Sequence, residues 1–220
     1  TSVKLTIRRD GVDTDFDFTR RSIEVKSVSG RLIDGYIGYI RIDSFKENTS
    51  EQFVDILQRL TSNGAKALIF DVRDNPGGLV TALEECLDPL LPEGKIATAE
   101  YKDGHSETLV YSDSSELNLP MTVIVNNETA SSAELFAAAL RDFGKAKLVG
   151  EQTLGKGVMQ STTEFESGGA VILTVAEYKT TKSDCYDGIG LSPDYPIQNE
   201  VADVDSQLDK AVEIIDLELS

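Results

Sequence analysis

Histidine, tryptophan and cysteine are scarce in this sequence. Its 220 residues include one histidine, two cysteines and no tryptophan. The histidine, His105, lies in the segment Lys-Asp-Gly-His-Ser, which predicts a solvent-exposed turn between two strands. A serine–histidine triad would have to recruit this one loop residue. A zinc site would need mostly carboxylate ligands, which is uncommon, so the residue types predict no metal and no cofactor.

Long apolar runs and positive charge are scarce as well. No stretch approaches the about 20 apolar residues that a membrane helix needs, and no segment has the pattern of a signal peptide. The formal net charge of −17 would repel phosphate backbones, which argues against nucleic-acid binding. Hydrophobic residues still make up 40% of the chain, enough for a substantial core. Because Thr1 leads straight into a strand-like pattern, we expect a fragment of a longer protein.

The two cysteines are predicted to differ in environment. Cys185 lies in a polar loop, where an exposed thiol and a disulfide both remain open. Cys86 belongs to an apolar stripe at helical spacing, which predicts core packing. The other members of that stripe are Leu79, Leu83, Leu87 and Leu90.

The first 27 residues alternate in the manner of strands. One run, residues 3–7, ends before a turn at Asp10-Gly11, and further runs contain Phe16 with Phe18 and Ile23 with Val25. These strands are too few to bury a core alone. We expect them to be the end of an upstream domain or an edge added to the next one.

From Gly35 onward, strands and helices alternate, which predicts an α/β domain with a mixed, partly parallel sheet built from β-α repeats. The run at 67–72 is apolar apart from Asp71, as in a strand buried on both faces. Helices are predicted from Thr49 or Ser50 up to Asn63-Gly64, at 79–90 and at 131–141. Strands are predicted at 36–42, 67–72, 121–125, 147–150, 158–165, 170–175 and 177–181.

Three loops could carry chemistry, and the first is Asp-Asn-Pro-Gly-Gly at 74–78, between a buried strand and a helix. Gly77 and Gly78 allow the backbone to approach a ligand closely. Unpaired amides at the start of a helix can stabilise an oxyanion. The structural alternative is a plain turn with Asp74 as a helix cap.

The second loop is Thr-Ala-Ser-Ser-Ala-Glu at 129–134. Ser131 begins a helix beside unpaired amides, which suits a nucleophile whose oxyanion the Ser132 amide could bind. Ser131 and Glu134 also fit a capping box, in which the serine only satisfies the helix start.

The third loop is Gly155-Lys156-Gly157, with Gln160 further on. A lysine base must be neutral, and burial favours the neutral amine. In a strand, Lys156 and Gln160 would point to the same face, where the amide could orient the amine. The alternative is an exposed turn lysine. Residues 150–156 also match most of a phosphate-binding P-loop, but Gly157 replaces the magnesium-binding Ser or Thr and β-forming residues follow. We interpret that match as coincidental.

Together the three loops resemble those of the carboxy-terminal processing proteases, also called tail-specific proteases, over roughly residues 27–196. The matching segments are 71–78, 129–134, 149–160 and 188–194, the last with one residue more than the family's Gly-Ile-x-Pro-Asp. Thr129 and Ala133 stand where the family often has serine, which leaves Ser131 and Ser132 as candidate nucleophiles. Lys156 follows Ser131 by 25 residues, and this spacing favours Ser131.

The resemblance implies a crotonase-like catalytic core over residues 28–220. It implies that residues 1–27 are the remnant of a PDZ domain and its connecting strands, with 1–12 as that domain's last strand. The implied parent protein is a serine endopeptidase that grips a free, unfolded C-terminus of a protein substrate. Its implied location is extracytoplasmic, in the periplasm or at the cell surface, often with an N-terminal membrane anchor.

We therefore expect neutral Lys156, oriented by Gln160, to take the proton of Ser131 as it attacks a peptide carbonyl. The amides of Ser132 and of either Gly77 or Gly78 would hold the oxyanion. Two carboxylates are candidates for support: Glu134 at the nucleophile's turn, and Asp142, about three helical turns beyond Ser131, as a cap or brace of the helix end. The alternatives are a non-catalytic binding or scaffold module of the same fold and a P-loop nucleotide-binding enzyme.

Overall fold

The computed structural model describes residues 1–21, 25–113, 116–201 and 203–220. The strands are β1 (Ser2–Arg9), β2 (Val12–Thr19), β3 (Val28–Ile33), β4 (Ile37–Ile42), β5 (Ala67–Asp71), β6 (Gly94–Tyr101), β7 (Ser106–Ser112), β8 (Met121–Val125), β9 (Ala146–Gly150), β10 (Val158–Glu164), β11 (Ala170–Thr180) and β12 (Tyr195–Pro196). The α-helices are α1 (Thr49–Ser62), α2 (Val80–Leu87), α3 (Ser132–Asp142) and α4 (Ser206–Leu219), and a 3₁₀ turn, Asp88–Leu90, follows α2.

The N-terminal strands β1 and β2 form a two-stranded antiparallel sheet of their own. Asp10 and Gly11 join them with φ values of 53° and 79°, the positive range that tight hairpin turns require. The predicted turn is thus confirmed. Of the third predicted run, Ile23 lies outside the described residues, and Val25 belongs to no strand.

The central sheet has six strands in the order β12-β9-β8-β5-β4-β3, all parallel except for β3. This confirms the partly parallel α/β architecture. Both faces of the sheet are covered. Leu68 and Phe70 of β5 belong to the core on the side of α1, α2 and α3, whereas Ala67 and Ile69 belong to the core beneath α4.

Helix α4 was not among the predicted helices. Its residues Ala211, Ile214 and Ile215 are buried against the second face of the sheet. The spacing of these three residues is that of one helical face. Because a strand buried on both faces needs a cover on each side, this helix completes the core of the domain.

The second large sheet is antiparallel, in the order β10-β11-β6-β7. Strand β11 runs unbroken from Ala170 to Thr180, so the prediction of two strands there is wrong. The whole length of β11 finds partners, first on β10 and then on β6. His105 lies in the turn between β6 and β7, as predicted.

Helix α2 is shorter than predicted, because the chain tightens into the 3₁₀ turn after Leu87. Leu79 precedes the helix in an extended conformation and is 45% exposed, so its placement on the buried stripe is wrong. Cys86 is fully buried as predicted, and burial raises the pKa of its thiol. Cys185 is a free, half-buried thiol.

Candidate active site

The three loops singled out in the sequence meet at one edge of the central sheet. They follow β5, β8 and β9, which are parallel neighbours, and the carboxyl ends of parallel strands form the usual ligand crevice of an open α/β sheet. The loops are joined directly, since Ala130 N donates to Asn75 O at 2.9 Å and Leu154 N donates to Thr129 O at 3.0 Å.

Ser131 has an unusual backbone conformation, with φ 58° and ψ −124° at the N-cap of α3. Ordinary N-cap residues have extended dihedrals. Holding a non-glycine residue in a sparsely populated region at positive φ costs about 1–3 kcal/mol. Gly77 lies against it: a Cβ on Gly77 would come within 2.7 Å of the Ser131 Cβ. Glycine at position 77 therefore makes room for the strained turn.

Two backbone amides beside Ser131 have no partner among the described residues. They are those of Ser132, in the first turn of α3, and of Gly78, which is exposed. The Gly77 amide is already engaged, because it donates to Asn75 Oδ1 at 2.8 Å. Asn75 is itself buried and donates to Ile42 O at 2.9 Å. Of the two glycines, the structure favours Gly78 as a free donor.

Glu134 is a fully buried carboxylate that joins the serine turn to the lysine loop. Its Oε2 accepts hydrogen bonds from Ser131 N at 3.0 Å and from Lys156 N at 2.8 Å. Its Oε1 accepts from Thr153 Oγ1 at 2.5 Å and from Gly155 N at 2.8 Å. The predicted capping-box contact at Ser131 is present, but it is one of four contacts that hold both segments to one side chain.

Lys156 is thereby fixed through its main chain. The side chain is half-buried, and its Nζ makes no hydrogen bond or ion pair within the described residues. Strand β10 begins at Val158, as predicted, and its register shifts just before Gln160, so Lys156 and Gln160 do not lie in one regular strand. The Gln160 side chain is exposed and likewise makes no hydrogen bond to a described residue.

Tyr178 on β11 contacts both segments. Its hydroxyl oxygen lies 2.7 Å from Lys156 O and 3.2 Å from Ser131 Oγ. The ring is buried, and burial, together with the nearby Glu134, raises the pKa of Tyr178 to about 12. The phenol is therefore protonated at neutral pH and serves as a hydrogen-bond donor.

The segment 185–191 supports the lysine loop from the other side. Asp187 Oδ1 accepts from Gly157 N at 2.9 Å, and Gly188 N donates to Gly155 O at 2.8 Å. Gly190 has a φ of 81°, and a Cβ there would lie 2.2 Å from Thr153 O. The close approach accounts for glycine at position 190, whereas Gly188 has open space around it and a φ of 71°.

Asp142 lies at the far end of α3, away from the serine. Its Oδ2 accepts from Thr180 Oγ1 at 2.6 Å, and its Oδ1 accepts from Arg141 Nε at 2.9 Å. These contacts tie the end of α3 to the end of β11. They favour the interpretation of Asp142 as a brace.

Sequence reasoning missed Asn75, Thr153 and Tyr178. Asn75 and Thr153 lie inside the predicted loops, where a buried polar side chain has no distinctive pattern. Tyr178 lies far along the chain in a strand, and no local signal connects it to Ser131. Its role depends on how β11 packs.

Other ligand classes find little support in the described ranges. No group of three or more His, Cys, Asp and Glu side chains there could hold a metal ion. No helix among those residues is long and apolar enough to cross a membrane. The near-match to a P-loop at 150–156 is followed by strand β10 rather than by a helix, so the phosphate-binding interpretation is wrong.

Comparison with known proteins shows what the chain is similar to. The sequence profile of peptidase family S41 matches residues 36–197. The carboxy-terminal processing protease CtpA of Bacillus subtilis (strain 168) is 37% identical over 195 residues, 88% of this chain and 42% of that protein. The carboxyl-terminal-processing protease of Synechocystis sp. (strain ATCC 27184 / PCC 6803 / Kazusa) is 34% identical over 204 residues, 90% of this chain and 48% of that protein.

Solved structures show the same relationship. The photosystem II D1 C-terminal processing protease superposes with a TM-score of 0.71 at 26% identity, over 98% of this chain and 60% of that one. The chain spans less than half the length of the two curated relatives. The profile covers most of the chain, including all three loops at the sheet edge, and the chain therefore belongs to peptidase family S41.

Proposed function

We propose that this chain is the core of a serine endopeptidase in which Ser131 is the nucleophile and Lys156 the general base. The observation that carries the proposal is the strained Ser131 turn beside two unpaired amides. A nucleophile placed on a sharp turn before a helix, with an oxyanion site at the next amide, is a recurrent arrangement for acyl transfer. The names of the relatives support this reaction class, and we assign the core to the crotonase-like folds.

The proposed reaction has two halves. Ser131 Oγ attacks the carbonyl carbon of a peptide bond while neutral Lys156 takes the serine proton, and the Ser132 and Gly78 amides hold the oxyanion. Collapse of the tetrahedral intermediate breaks the C–N bond, and Lys156 returns the proton to the leaving amine. Water, deprotonated by the same lysine, then hydrolyses the acyl-enzyme.

The lysine amine must come within about 3.2 Å of Ser131 Oγ for proton transfer. Both main chains are already held by Glu134 Oε2, so rotation of the Lys156 side chain is the movement required. Gln160 remains a proposed orienting amide, and it would have to turn toward the lysine from its exposed position on β10. Gln160→Ala tests that role.

We extend the proposal to the whole protein on the basis of its relatives. The substrate would be a protein with a free, unfolded C-terminus, as the names carboxy-terminal and carboxyl-terminal processing protease suggest. Residues 1–27 would be the remnant of a PDZ domain, 28–220 would be the catalytic core, and the parent protein would act outside the cytoplasm. Fractionation of cells that produce the parent protein tests its location.

The function is tested by cleavage of an unfolded protein and by labelling with a fluorophosphonate. Ser131→Ala should lose several orders of magnitude in rate. Lys156→Arg should be inactive because arginine is not deprotonated, whereas His105→Ala, in the exposed β6–β7 turn, should match the parent. The rate should keep rising with pH above the range in which histidine titrates. An active Lys156→Arg enzyme, or an inactive His105→Ala one, would refute the serine–lysine mechanism.

A further inference from the structure

The hydroxyl of Tyr178 lies between the proposed nucleophile and the main chain of the proposed base. It is 2.7 Å from Lys156 O and 3.2 Å from Ser131 Oγ. Tyr178 is only 4% exposed. We therefore expect its side chain to make no direct contact with a bound substrate. Its contacts are confined to the catalytic segments and the core.

The direction of these hydrogen bonds follows from counting protons. A phenol has one proton, and a carbonyl oxygen can only accept. The shorter contact therefore takes the Tyr178 proton to Lys156 O. At the longer contact the phenol oxygen can then only accept, so the Ser131 hydroxyl donates to it until the base takes that proton.

We propose that Tyr178 is a positioning residue that sets the rotamer of Ser131 relative to the Lys156 peptide. This inference rests on the proposed serine–lysine function. The two segments also share Glu134, but Glu134 Oε2 accepts hydrogen bonds only from the backbone amides of Ser131 and Lys156 and does not bind the serine hydroxyl. Within the described residues, Tyr178 is the one side chain that hydrogen-bonds the serine Oγ, which the capping box also ties to the Glu134 amide.

The chain offers a matched control in Tyr186. Its ring packs edge-on against that of Tyr178, with centroids 6.1 Å apart. Its hydroxyl is buried and makes no hydrogen bond of normal geometry in the described part of the chain, although it lies near enough to the Tyr178 hydroxyl for the two groups to interact. Tyr186→Phe therefore removes the same atom from a neighbouring buried ring and leaves the contacts of Tyr178 with Ser131 and Lys156 in place.

The first test compares kcat and KM for Tyr178→Phe, Tyr186→Phe and the parent. Tyr178→Phe should lower kcat about 10- to 100-fold, since a misplacement of about 1 Å can cost about 100-fold. Its KM should stay within about twofold, because the buried ring does not touch substrate. Tyr186→Phe should match the parent. A Tyr178→Phe enzyme with the parent's kcat, or equal losses in both variants, overturns the proposal.

A second test does not depend on activity or on the folding of Tyr178→Phe. In protein labelled with ¹³Cζ-tyrosine, Ser131→Ala should shift the signal of one of the seven tyrosines. Unchanged tyrosine signals overturn the contact. If Ser131→Ala cleaves as fast as the parent, the proposed function fails; if only Tyr178→Phe is without effect, the function stands and the positioning role fails.

Discussion

Replacing Glu134 by glutamine tests whether one carboxylate holds the catalytic segments together. The carboxylate is fully buried and accepts four hydrogen bonds, two at each oxygen. Glutamine keeps one acceptor oxygen and replaces the other with an amide that donates. The best arrangement leaves the oxygen on the Ser131 and Lys156 amides and turns the NH₂ group toward Thr153 Oγ1. The Gly155 amide then loses its partner.

The expected loss follows from that unpaired amide. A buried donor without a partner costs about 1–3 kcal/mol, and the remaining bonds lose their charge assistance. Relief from burying a charge offsets part of this, so we expect Glu134→Gln to lower stability by about 2–3 kcal/mol. For a chain of this size, that corresponds to a fall in Tm of about 4–12 °C. The turnover rate should fall as well, because the Gly155–Lys156 segment is released.

Scanning calorimetry of the parent and three variants decides the matter. Glu128 is an exposed glutamate just before the same turn, and Glu128→Gln serves as the control. Its free energy of unfolding should stay within about 0.5 kcal/mol of the parent's. Glu134→Ala should lose more than Glu134→Gln because all four donors lose their acceptor. If Glu134→Gln melts within about 2 °C of Glu128→Gln, the carboxylate does not hold the loops as described.

Two further predictions use contacts elsewhere in the chain. Gly77→Ala should reduce cleavage at least about tenfold, because its Cβ would meet Ser131 Cβ at 2.7 Å and a small displacement of the nucleophile is costly. Gly104→Ala has a similar positive φ but open space around it, so it should lose only stability, and equal activity in both variants would contradict the crowding. Burial raises the pKa of Asp205, but hydrogen bonds from Arg73 and the Leu208 amide outweigh it, so the pKa is lowered overall. This carboxylate stabilises the fold above its unfolded pKa of about 4, and the benefit is lost as pH falls through the lower, folded value. The Tm gap between the parent and Asp205→Asn should therefore narrow as the pH is lowered below about 4, and a gap that stays constant in a melting series would rule this out.

Local patterns in the sequence predicted the architecture and the loops that could carry chemistry, and the family resemblance selected Ser131 and Lys156 as candidate nucleophile and base. The strand at 67–72, apolar apart from Asp71, predicted burial on both faces, and the structure places it in the middle of the parallel sheet. The loops after three strands drew attention because they contain paired glycines, a serine at a helix start and a lysine between glycines. Periodicity and turn chemistry act over a few residues, so they can be read without a structure.

Where local signals were weak, the prediction failed. The break assigned within residues 170–181 rested on propensity, yet pairing along the whole of β11 overrides it. Leu79 matched the helical stripe in spacing, but the helix begins one residue later and leaves the side chain exposed. Helix α4 has a regular apolar face whose partner, the second face of the sheet, is defined only by the assembled strands.

Only the tertiary structure decided how the site is assembled. Gly77 and Gly78 are equivalent in sequence, and the hydrogen bond from Gly77 N to Asn75 distinguishes them. Glu134 fits a helix cap in sequence, but the fold brings the lysine loop to the same carboxylate. Tyr178 lies 47 residues beyond Ser131, and their contact depends on the packing of β11 against α3. The sequence specifies which groups are present, while hydrogen bonds between distant segments specify which of them meet, because such bonds form only after the sheets and helices have packed.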